Sequence, residues 1–139
     1  MAEPLVLLAD DFPDACDMYR AYLQFHGFRV ITVGDGRAAV EAARMHAPDI
    51  ILLDLRMPEM TGTEAMTVLR ADPAFAGVPI VALTAHALPR DSQADARAGF
   101  DAYLSKPISP DKLLREITIL LENRRASARG STPSSSRPS

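Results

Sequence analysis

The sequence predicts an α/β protein in which a five-stranded parallel sheet is covered by helices on both faces. Short apolar runs of strand length alternate with longer segments of helical spacing, and this β-α unit occurs five times. The strand candidates that begin at Leu5, Ile50 and Ile80 are continuous apolar runs. Such strands are buried on both faces, as in a parallel sheet, and right-handed crossovers then give a doubly wound sandwich.

Length and composition limit the possible classes of protein. The 139 residues fit one domain with a short extension, and the net charge of −3 gives no reason to expect nucleic-acid binding. The first apolar run is too short for a signal peptide or a membrane span. The single cysteine, Cys16, cannot form an internal disulfide, which fits a reducing compartment. We therefore expect a cytoplasmic protein.

The first β-α unit is predicted from an apolar run and an amphipathic segment. Residues 5–9 (LVLLA) form the strand, and residues 14–26 form the helix, which Gly27 ends. The apolar side of this helix is predicted to consist of Ala15, Met18, Tyr22 and Phe25.

The second unit begins with a β-branched strand over residues 28–33. Gly34, Asp35 and Gly36 form a turn, in which Asp35 is predicted to cap a helix over residues 37–46. Pro48 precedes the third strand, over residues 49–53.

The remaining units are separated by proline and glycine. A loop with Pro58 and Gly62 leads to a helix over about residues 63–71, and the fourth strand covers residues 80–83. A short helix over residues 90–98 is closed by Gly99, and the fifth strand covers residues 102–104.

The last helix is predicted to begin with Ser109 as its cap and Pro110 as its first residue, and to end near Asn123. Beyond it, the chain is rich in arginine, serine and proline and has almost nothing to bury. We therefore expect one folded domain over residues 1–124 and a disordered tail over residues 125–139.

Polar residues follow four of the five predicted strands. Asp10 and Asp11 follow the first strand, Asp54 the third, Thr84 the fourth and Lys106 the fifth. Ligands of open α/β sheets bind outside the carboxyl ends of the strands. The sequence therefore predicts that three carboxylates, a hydroxyl and an ammonium group meet at one edge of the sheet.

This set of groups favours phosphoryl chemistry. Clustered carboxylates repel unless a cation lies between them, and Mg²⁺ prefers oxygen ligands and is commonly held by carboxylates and a phosphate. Lys106 and Thr84 would then bind phosphoryl oxygens. Asp54 stands at the centre, and a carboxylate there can attack phosphorus to form an aspartyl phosphate.

Four segments (LLADD, ILLDLRMPEMTG, VALTAHA and YLSKP) occur in order, each at the end of a predicted strand. With them the chain resembles the receiver domains of two-component response regulators over residues 5–122. The resemblance implies a flavodoxin-like (βα)5 fold with strand order 2-1-3-4-5. It also implies that Asp54 accepts the phosphoryl group, and that the carboxylates of Asp10, Asp11 and Asp54 bind Mg²⁺ with the backbone carbonyl of Arg56.

Further roles are implied by the same resemblance. Lys106 would pair with the phosphoryl group and precede a cis peptide bond to Pro107. Thr84 and Tyr103 would form a switch that reshapes the face made by the fourth helix, the fifth strand and the fifth helix. Arg56 and His86, at the mouth of the site, would tune the rate of phosphate hydrolysis.

The expected function is a stand-alone phosphorelay receiver, a signalling protein that catalyses only its own phosphorylation and dephosphorylation. Its partners would be a histidine kinase or histidine phosphotransfer protein and a downstream protein target, with no nucleic acid. The alternatives are a receiver fragment of a hybrid kinase or transcriptional regulator, and a degenerate docking module that works without phosphorylation.

Two other protein classes fit less well. A phosphatase of the haloacid dehalogenase type would carry a second aspartate where this chain has Arg56. A flavin-binding module would need a loop rich in Ser, Thr or Gly after the first strand, where this chain has Asp10 and Asp11.

Overall fold

The computed structural model describes residues 3–85 and 99–130, which form a parallel sheet flanked by helices. The helix predicted over residues 90–98 lies outside them. The described strands are β1 (Leu5–Ala9), β2 (Arg29–Val33), β3 (Ile50–Asp54), β4 (Ile80–Thr84) and β5 (Ala102–Ser105). The described α-helices are α1 (Pro13–Phe25), α2 (Gly36–His46), α3 (Gly62–Arg70) and the C-terminal helix α4 (Pro110–Gly130), with a short 3₁₀ turn at Pro73–Phe75.

The sheet is parallel throughout, and its strands lie in the order β2-β1-β3-β4-β5. This confirms the predicted fold class and strand order. The two central strands are β1 and β3, in which Ala9 lies opposite Leu53. Farther along, Asp54 lies opposite Leu83, and Thr84 lies opposite Ser105. The register therefore aligns the carboxyl ends of the strands that carry the polar residues.

Each face of the sheet has its own buried hydrophobic cluster. Alternate side chains of β1 divide between them: Leu7 belongs to the cluster beneath α2 and α3, and Leu8 belongs to the cluster beneath α1 and α4. Both leucines are fully buried. Each such side chain contributes roughly 2 kcal/mol of hydrophobic free energy, so the centre of the sheet is a rigid base for its carboxyl edge.

Helix α1 was predicted correctly only in part: Ala15 and Tyr22 pack, half-buried, against the cluster beneath α1 and α4. The residues that it buries are Cys16, Tyr19 and Leu23, while Met18 and Phe25 are 45% and 85% exposed. Apolar residues occupy more than one side of this helix, so their spacing alone did not determine which side faces the sheet. The Tyr19 hydroxyl donates a hydrogen bond of 2.7 Å to the carbonyl of Ile108, and this tertiary contact orients the helix.

The helix caps follow the sequence closely. Asp35 accepts a hydrogen bond of 2.7 Å from the amide of Ala38, as predicted for the start of α2. Thr61 and Glu64 form a capping box at the start of α3, each side chain accepting a backbone N–H of the other. Both caps lie beside the loops at the carboxyl edge of the sheet, so they fix where those loops enter the helices.

The C-terminal helix is longer than predicted. It continues to Gly130, so the expected end near Asn123 was wrong, and the first residues of the expected tail are helical. Arginine and alanine, both good helix formers, continue the helix, and Arg124 donates a hydrogen bond of 2.9 Å to the carbonyl of Asp49. Among the described residues no helix, including this one, combines the length and apolar character that a membrane span requires.

The guanidinium group of Arg70, at the end of α3, joins several chain segments. Its Nε donates to the carbonyl of Gly99 at 2.8 Å, and its Nη1 donates to the carbonyls of Phe75 and Val78 at 2.8 and 2.9 Å. Its Nη2 forms an ion pair of 2.7 Å with Asp101. The side chain is 22% exposed. Arg70 therefore holds the entry to β5 against α3 and the start of β4.

Replacing Arg70 tests this junction. Arg70→Ala removes the donors of three carbonyls and leaves Asp101 without its cation, so we expect the free energy of unfolding to fall by roughly 2 to 3 kcal/mol in urea denaturation. Arg115→Ala is the control, because the Arg115–Asp111 pair is 3.5 Å long with both side chains mostly exposed. Equal, small effects of the two changes would contradict the structural role of Arg70.

Candidate functional site

Three aspartates meet at the carboxyl ends of the two central strands. Asp10 and Asp11 follow β1, and Asp54 is the last residue of β3. One carboxylate oxygen from each lies within 4.8 Å of the others. Asp10 and Asp54 are buried, whereas Asp11 is exposed. The structure thus brings together the three carboxylates that the sequence placed at one edge.

Lys106 supplies a positive charge to this cluster. Its Nζ lies 2.7 Å from Oδ2 of Asp10 and 2.7 Å from Oδ2 of Asp54, bridging the two buried carboxylates. Its side chain is 22% exposed. One ammonium group opposite three carboxylates leaves a formal excess of negative charge at the mouth of the site.

The backbone around Lys106 is fixed on both sides. Its amide donates a hydrogen bond of 2.7 Å to the carbonyl of Thr84, which continues the ladder between β4 and β5. The peptide bond from Lys106 to Pro107 is cis, as the resemblance implied. Ile108 is buried and accepts the hydroxyl of Tyr19. The lysine therefore projects from a loop that is anchored to β4 and to α1.

Backbone N–H groups orient the two buried carboxylates. The amide of Phe12 donates to Oδ1 of Asp10 at 3.0 Å, and the amide of Arg56 donates to Oδ1 of Asp54 at 2.9 Å. Each carboxylate therefore uses one oxygen for a backbone amide and the other for Lys106. Such hydrogen bonds to a charged acceptor are stronger than neutral ones, so they hold both carboxylates in one orientation.

Burial and charge act in opposite directions on the ionisable groups. Burial raises the pKa of Asp10, and the hydrogen bond from Lys106 only partly offsets that rise. Burial alone would lower the pKa of Lys106, but its hydrogen bonds to Asp10 and Asp54 outweigh burial and raise it. Lys106 is therefore fully protonated at neutral pH. The raised pKa of Asp10 means that its carboxylate is stabilised by further positive charge.

Cys16 lies directly behind the site. Its thiol donates a hydrogen bond of 3.2 Å to the carbonyl of Asp10, and burial raises its pKa to about 11. A buried, protonated thiol of this kind packs as a small apolar group and is a poor nucleophile.

The other predicted site residues have different surroundings. Thr84 is buried at the end of β4, beside the strand that carries Asp54. Tyr103 lies half-buried in β5, opposite Ala82, and its ring packs edge-on against Phe100 with 5.4 Å between centroids. Arg56 is exposed in the loop after Asp54. His86 lies outside the described residues.

Two glycines support the site, although the sequence predicted them only as turn or loop residues. A methyl group at Gly62 would lie 2.3 Å from the carbonyl oxygen of Asp54, and one at Gly36 would lie 2.0 Å from the carbonyl oxygen of Met60. The sequence does contain a signal for this role. Each glycine directly follows a helix-capping residue, and glycine is a poor helix former, so its presence in the first turn indicates a steric requirement.

Fold and site together define a class of protein, and comparison with known proteins agrees. The chain matches the family model of the response regulator receiver domain over residues 6–118. The protein therefore belongs to the response regulator receiver family. Receiver domains act in phosphorelay signalling. The observed strand order and the acidic edge of the sheet fit a receiver domain.

Individual relatives differ in how much of their length is matched. The chain is 35% identical over 116 residues to the probable transcriptional regulatory protein TcrX of Mycobacterium tuberculosis, covering 84% of this chain and 49% of TcrX. It is 32% identical over 112 residues to the polar-differentiation response regulator DivK of Brucella anthropi, covering 81% of this chain and 91% of DivK. This chain thus spans about half the length of TcrX and most of DivK.

A solved structure that resembles this fold holds a metal ion. The receiver domain of a sensor histidine kinase from Pseudomonas aeruginosa has a TM-score of 0.79 and 36% identity, covering 87% of this chain and 99% of that domain. That domain was crystallised with a magnesium ion coordinated in its active-site cleft.

Removing the charge of Lys106 tests the electrostatics of the site. In metal-free buffer, Lys106→Met leaves two buried carboxylates without their cation, so we expect the free energy of unfolding to fall by about 2 kcal/mol or more near pH 8. The pKa of Asp10 then rises further above its ordinary value. Because the folded chain binds that proton more tightly than the unfolded chain, the loss is smaller near pH 5.

The matched control is Lys112→Met, since Lys112 is exposed in the first turn of α4. Urea denaturation at both pH values measures the two variants side by side. A Lys106→Met protein as stable as Lys112→Met at the higher pH would contradict the bridging role of Lys106.

Proposed function

We propose that the protein is the phosphoacceptor of a two-component phosphorelay and that Asp54 carries the phosphoryl group. One observation carries the proposal: the Asp54 carboxylate lies beside two further aspartates and 2.7 Å from the ammonium group of Lys106. A nucleophilic carboxylate, oxygen ligands for a cation and a mobile positive charge are the parts that phosphoryl transfer requires.

The proposed reaction transfers one phosphoryl group. A carboxylate oxygen of Asp54 attacks phosphorus, and a new O–P bond forms. The bond between phosphorus and the imidazole nitrogen of a phosphohistidine breaks at the same time, and its electron pair leaves with the imidazole, which takes up a proton. With acetyl phosphate as donor, the bond to the acyl oxygen breaks and acetate leaves. Attack by water on the aspartyl phosphate later returns free phosphate and the Asp54 carboxylate.

The donor set fits Mg²⁺. Asp10, Asp11 and Asp54 offer carboxylate oxygens within 4.8 Å of one another, and Asp11 is the exposed member. These residues, with the backbone carbonyl of Arg56, would hold the ion, and Asp11 would be a more direct ligand than Asp10. When bound, Mg²⁺ would neutralise charge on the transferring phosphoryl oxygens. The magnesium-bound receiver from Pseudomonas aeruginosa supports this assignment.

Lys106 and Thr84 are proposed to bind the phosphoryl group. The Lys106 ammonium leaves its bridge between Asp10 and Asp54 and pairs with a phosphoryl oxygen, which stabilises the charge of the transition state and of the product. Thr84, at the end of the neighbouring strand, donates its hydroxyl to another phosphoryl oxygen. Arg56 and His86 are proposed to adjust the rate at which water reaches the phosphoryl group.

The proposed output is a shift between two conformations. As Thr84 moves toward the phosphoryl group, Tyr103 turns into the space that it leaves. This changes the face made by β5, the C-terminal helix and the helix predicted over residues 90–98. Phosphorylation would thus favour a conformation that is already populated at a low level.

The partners follow from this scheme. A histidine kinase or histidine phosphotransfer protein would donate the phosphoryl group, and a downstream protein would dock on the altered face. The chain would act in the cytoplasm as a signalling protein whose only catalysis is its own phosphorylation and dephosphorylation. The likeness to DivK, a polar-differentiation response regulator, supports a role as a signalling receiver.

Phosphorylation in vitro tests the proposal. With Mg²⁺ and acetyl phosphate, we expect the intact mass of the wild type to increase by one phosphoryl group. Asp54→Asn should abolish the increase, because the amide is not a nucleophile. A chelator should abolish it as well.

The control is Asp17→Asn, since Asp17 is exposed on α1 and pairs with Arg20 at the surface. This variant should be phosphorylated like the wild type. Undiminished labelling of Asp54→Asn would contradict the assigned phosphoacceptor. A wild type that neither takes up phosphate, from acetyl phosphate or a phosphorylated histidine kinase, nor binds Mg²⁺ would indicate the degenerate docking module.

A further inference from the structure

The loop that follows Asp54 is in close contact with the first turn of α2. Gly36 is the first residue of that helix and is buried. A methyl group at this position would lie 2.0 Å from the carbonyl oxygen of Met60 and 2.6 Å from its carbonyl carbon. Both atoms are backbone, so no side-chain rotation relieves the overlap. Only glycine lets the helix approach the loop so closely.

The helix side of this contact cannot easily move. Asp35 accepts the amide of Ala38 through its side chain and the amide of Ala39 through its carbonyl, which fixes the first turn. Ala39, Val40 and Ala43 are buried against the sheet. A shift of α2 away from Met60 would expose or repack this face, which costs hydrophobic free energy. A larger residue at position 36 therefore displaces the loop rather than the helix.

The loop is closed at its base by the backbone of Asp54 and Leu55. The amide of Gly62 donates to the carbonyl of Leu55 at 3.2 Å, and a methyl group at Gly62 would lie 2.3 Å from the carbonyl oxygen of Asp54. Within the loop, the amide of Met60 donates to the carbonyl of Pro58 at 2.7 Å. These hydrogen bonds close the loop, so a displacement of one of its residues displaces the others.

The same loop orients the Asp54 carboxylate. The amide of Arg56 donates to Oδ1 of Asp54 at 2.9 Å, and the carbonyl of Arg56 is the proposed metal ligand. Displacing Met60, four residues farther on, would tilt the Arg56 peptide and change both functions together. A misplacement of about 1 Å can lower the rate of a positioned reaction by roughly a hundredfold.

We propose that Gly36 is a positioning residue for the phosphoacceptor site. By lacking a side chain, it allows the first turn of α2 to support the loop that orients the Asp54 carboxylate and presents the Arg56 carbonyl. This inference rests on the proposed function of Asp54, and it assigns a role in the site to a residue on an element that carries none of the reacting groups.

The test compares Gly36→Ala with Gly34→Ala in the 139-residue chain. Gly34 lies in the same turn, and a methyl group there has nothing within 4 Å. For Gly36→Ala we expect the rate of phosphorylation by acetyl phosphate to fall about tenfold or more, and the affinity for Mg²⁺, measured by calorimetry, to fall as well. In the metal-free protein, the NMR signal of the Arg56 amide should shift. Gly34→Ala should leave all three quantities unchanged.

A third variant separates positioning from lost stability. Ala43→Gly opens a small cavity and lowers helix propensity near the end of α2 remote from the site. It should lower the stability of the domain but leave the affinity for Mg²⁺ and the Arg56 amide signal close to those of the wild type. If Ala43→Gly and Gly36→Ala weaken Mg²⁺ binding equally, stability alone explains the result and the proposal is wrong.

A milder change covers the case in which Gly36→Ala does not fold. Asp35→Ala removes the cap of α2 and loosens the turn that supports Met60. We expect about a twofold loss of Mg²⁺ affinity and a shifted Arg56 amide signal. An unchanged affinity and signal would overturn the proposal. A wild type that binds Mg²⁺ but is not phosphorylated would instead count against the function of Asp54. The Mg²⁺-binding and NMR measurements do not depend on phosphorylation, so they would still test the role of Gly36.

Discussion

Three carboxylates share the carboxyl edge of the sheet with one ammonium group. The structure around this edge has to balance the resulting excess of negative charge. Lys106 bridges the two buried aspartates at 2.7 Å each, while Asp11 remains exposed. In a partly buried site, the Coulomb repulsion among these carboxylates is strong and disfavours their charged forms. The site is therefore stable enough to form and yet favours an added cation, which is the condition that a phosphoryl-transfer centre requires.

The fold fixes this edge from below and from the side. The register of β1, β3 and β4 aligns the strand ends, and the buried clusters on both faces leave the central strands little freedom. Around the edge, the loops are anchored by local contacts: the Tyr19 hydroxyl on Ile108, the Arg56 amide on Asp54, and the contact between Gly36 and Met60. The rigid strands thus determine the backbone positions of the aspartates, and the loops determine the orientation of their carboxylate oxygens.

Much of this could be predicted from the sequence, because its strongest signals are local or periodic. Continuous apolar strands indicated a parallel sheet, strand ends indicated which polar residues meet, and Asp35 was recognised as a cap. The buried side of α1 was predicted only in part, because Met18 and Phe25 are as apolar as Cys16 and Leu23 and only tertiary packing distinguishes them. The length of the C-terminal helix was missed because the composition of the whole tail obscured the helix-forming residues at its start. The approach of Gly36 to Met60 joins residues distant in sequence, which no local pattern reports.

If the acidic edge is a cation site completed by its exposed aspartate, Mg²⁺ should stabilise the folded chain. The most direct measurement is the free energy of unfolding in MgCl₂ and in NaCl of equal ionic strength, for the wild type and for Asp11→Asn. Binding of one ion to the folded chain predicts a rise of about 1.4 kcal/mol for each tenfold increase in Mg²⁺ above its dissociation constant. Asp11→Asn should lose most of that rise. A wild-type stability that is the same in both salts, or a rise that Asp11→Asn retains in full, would contradict the account.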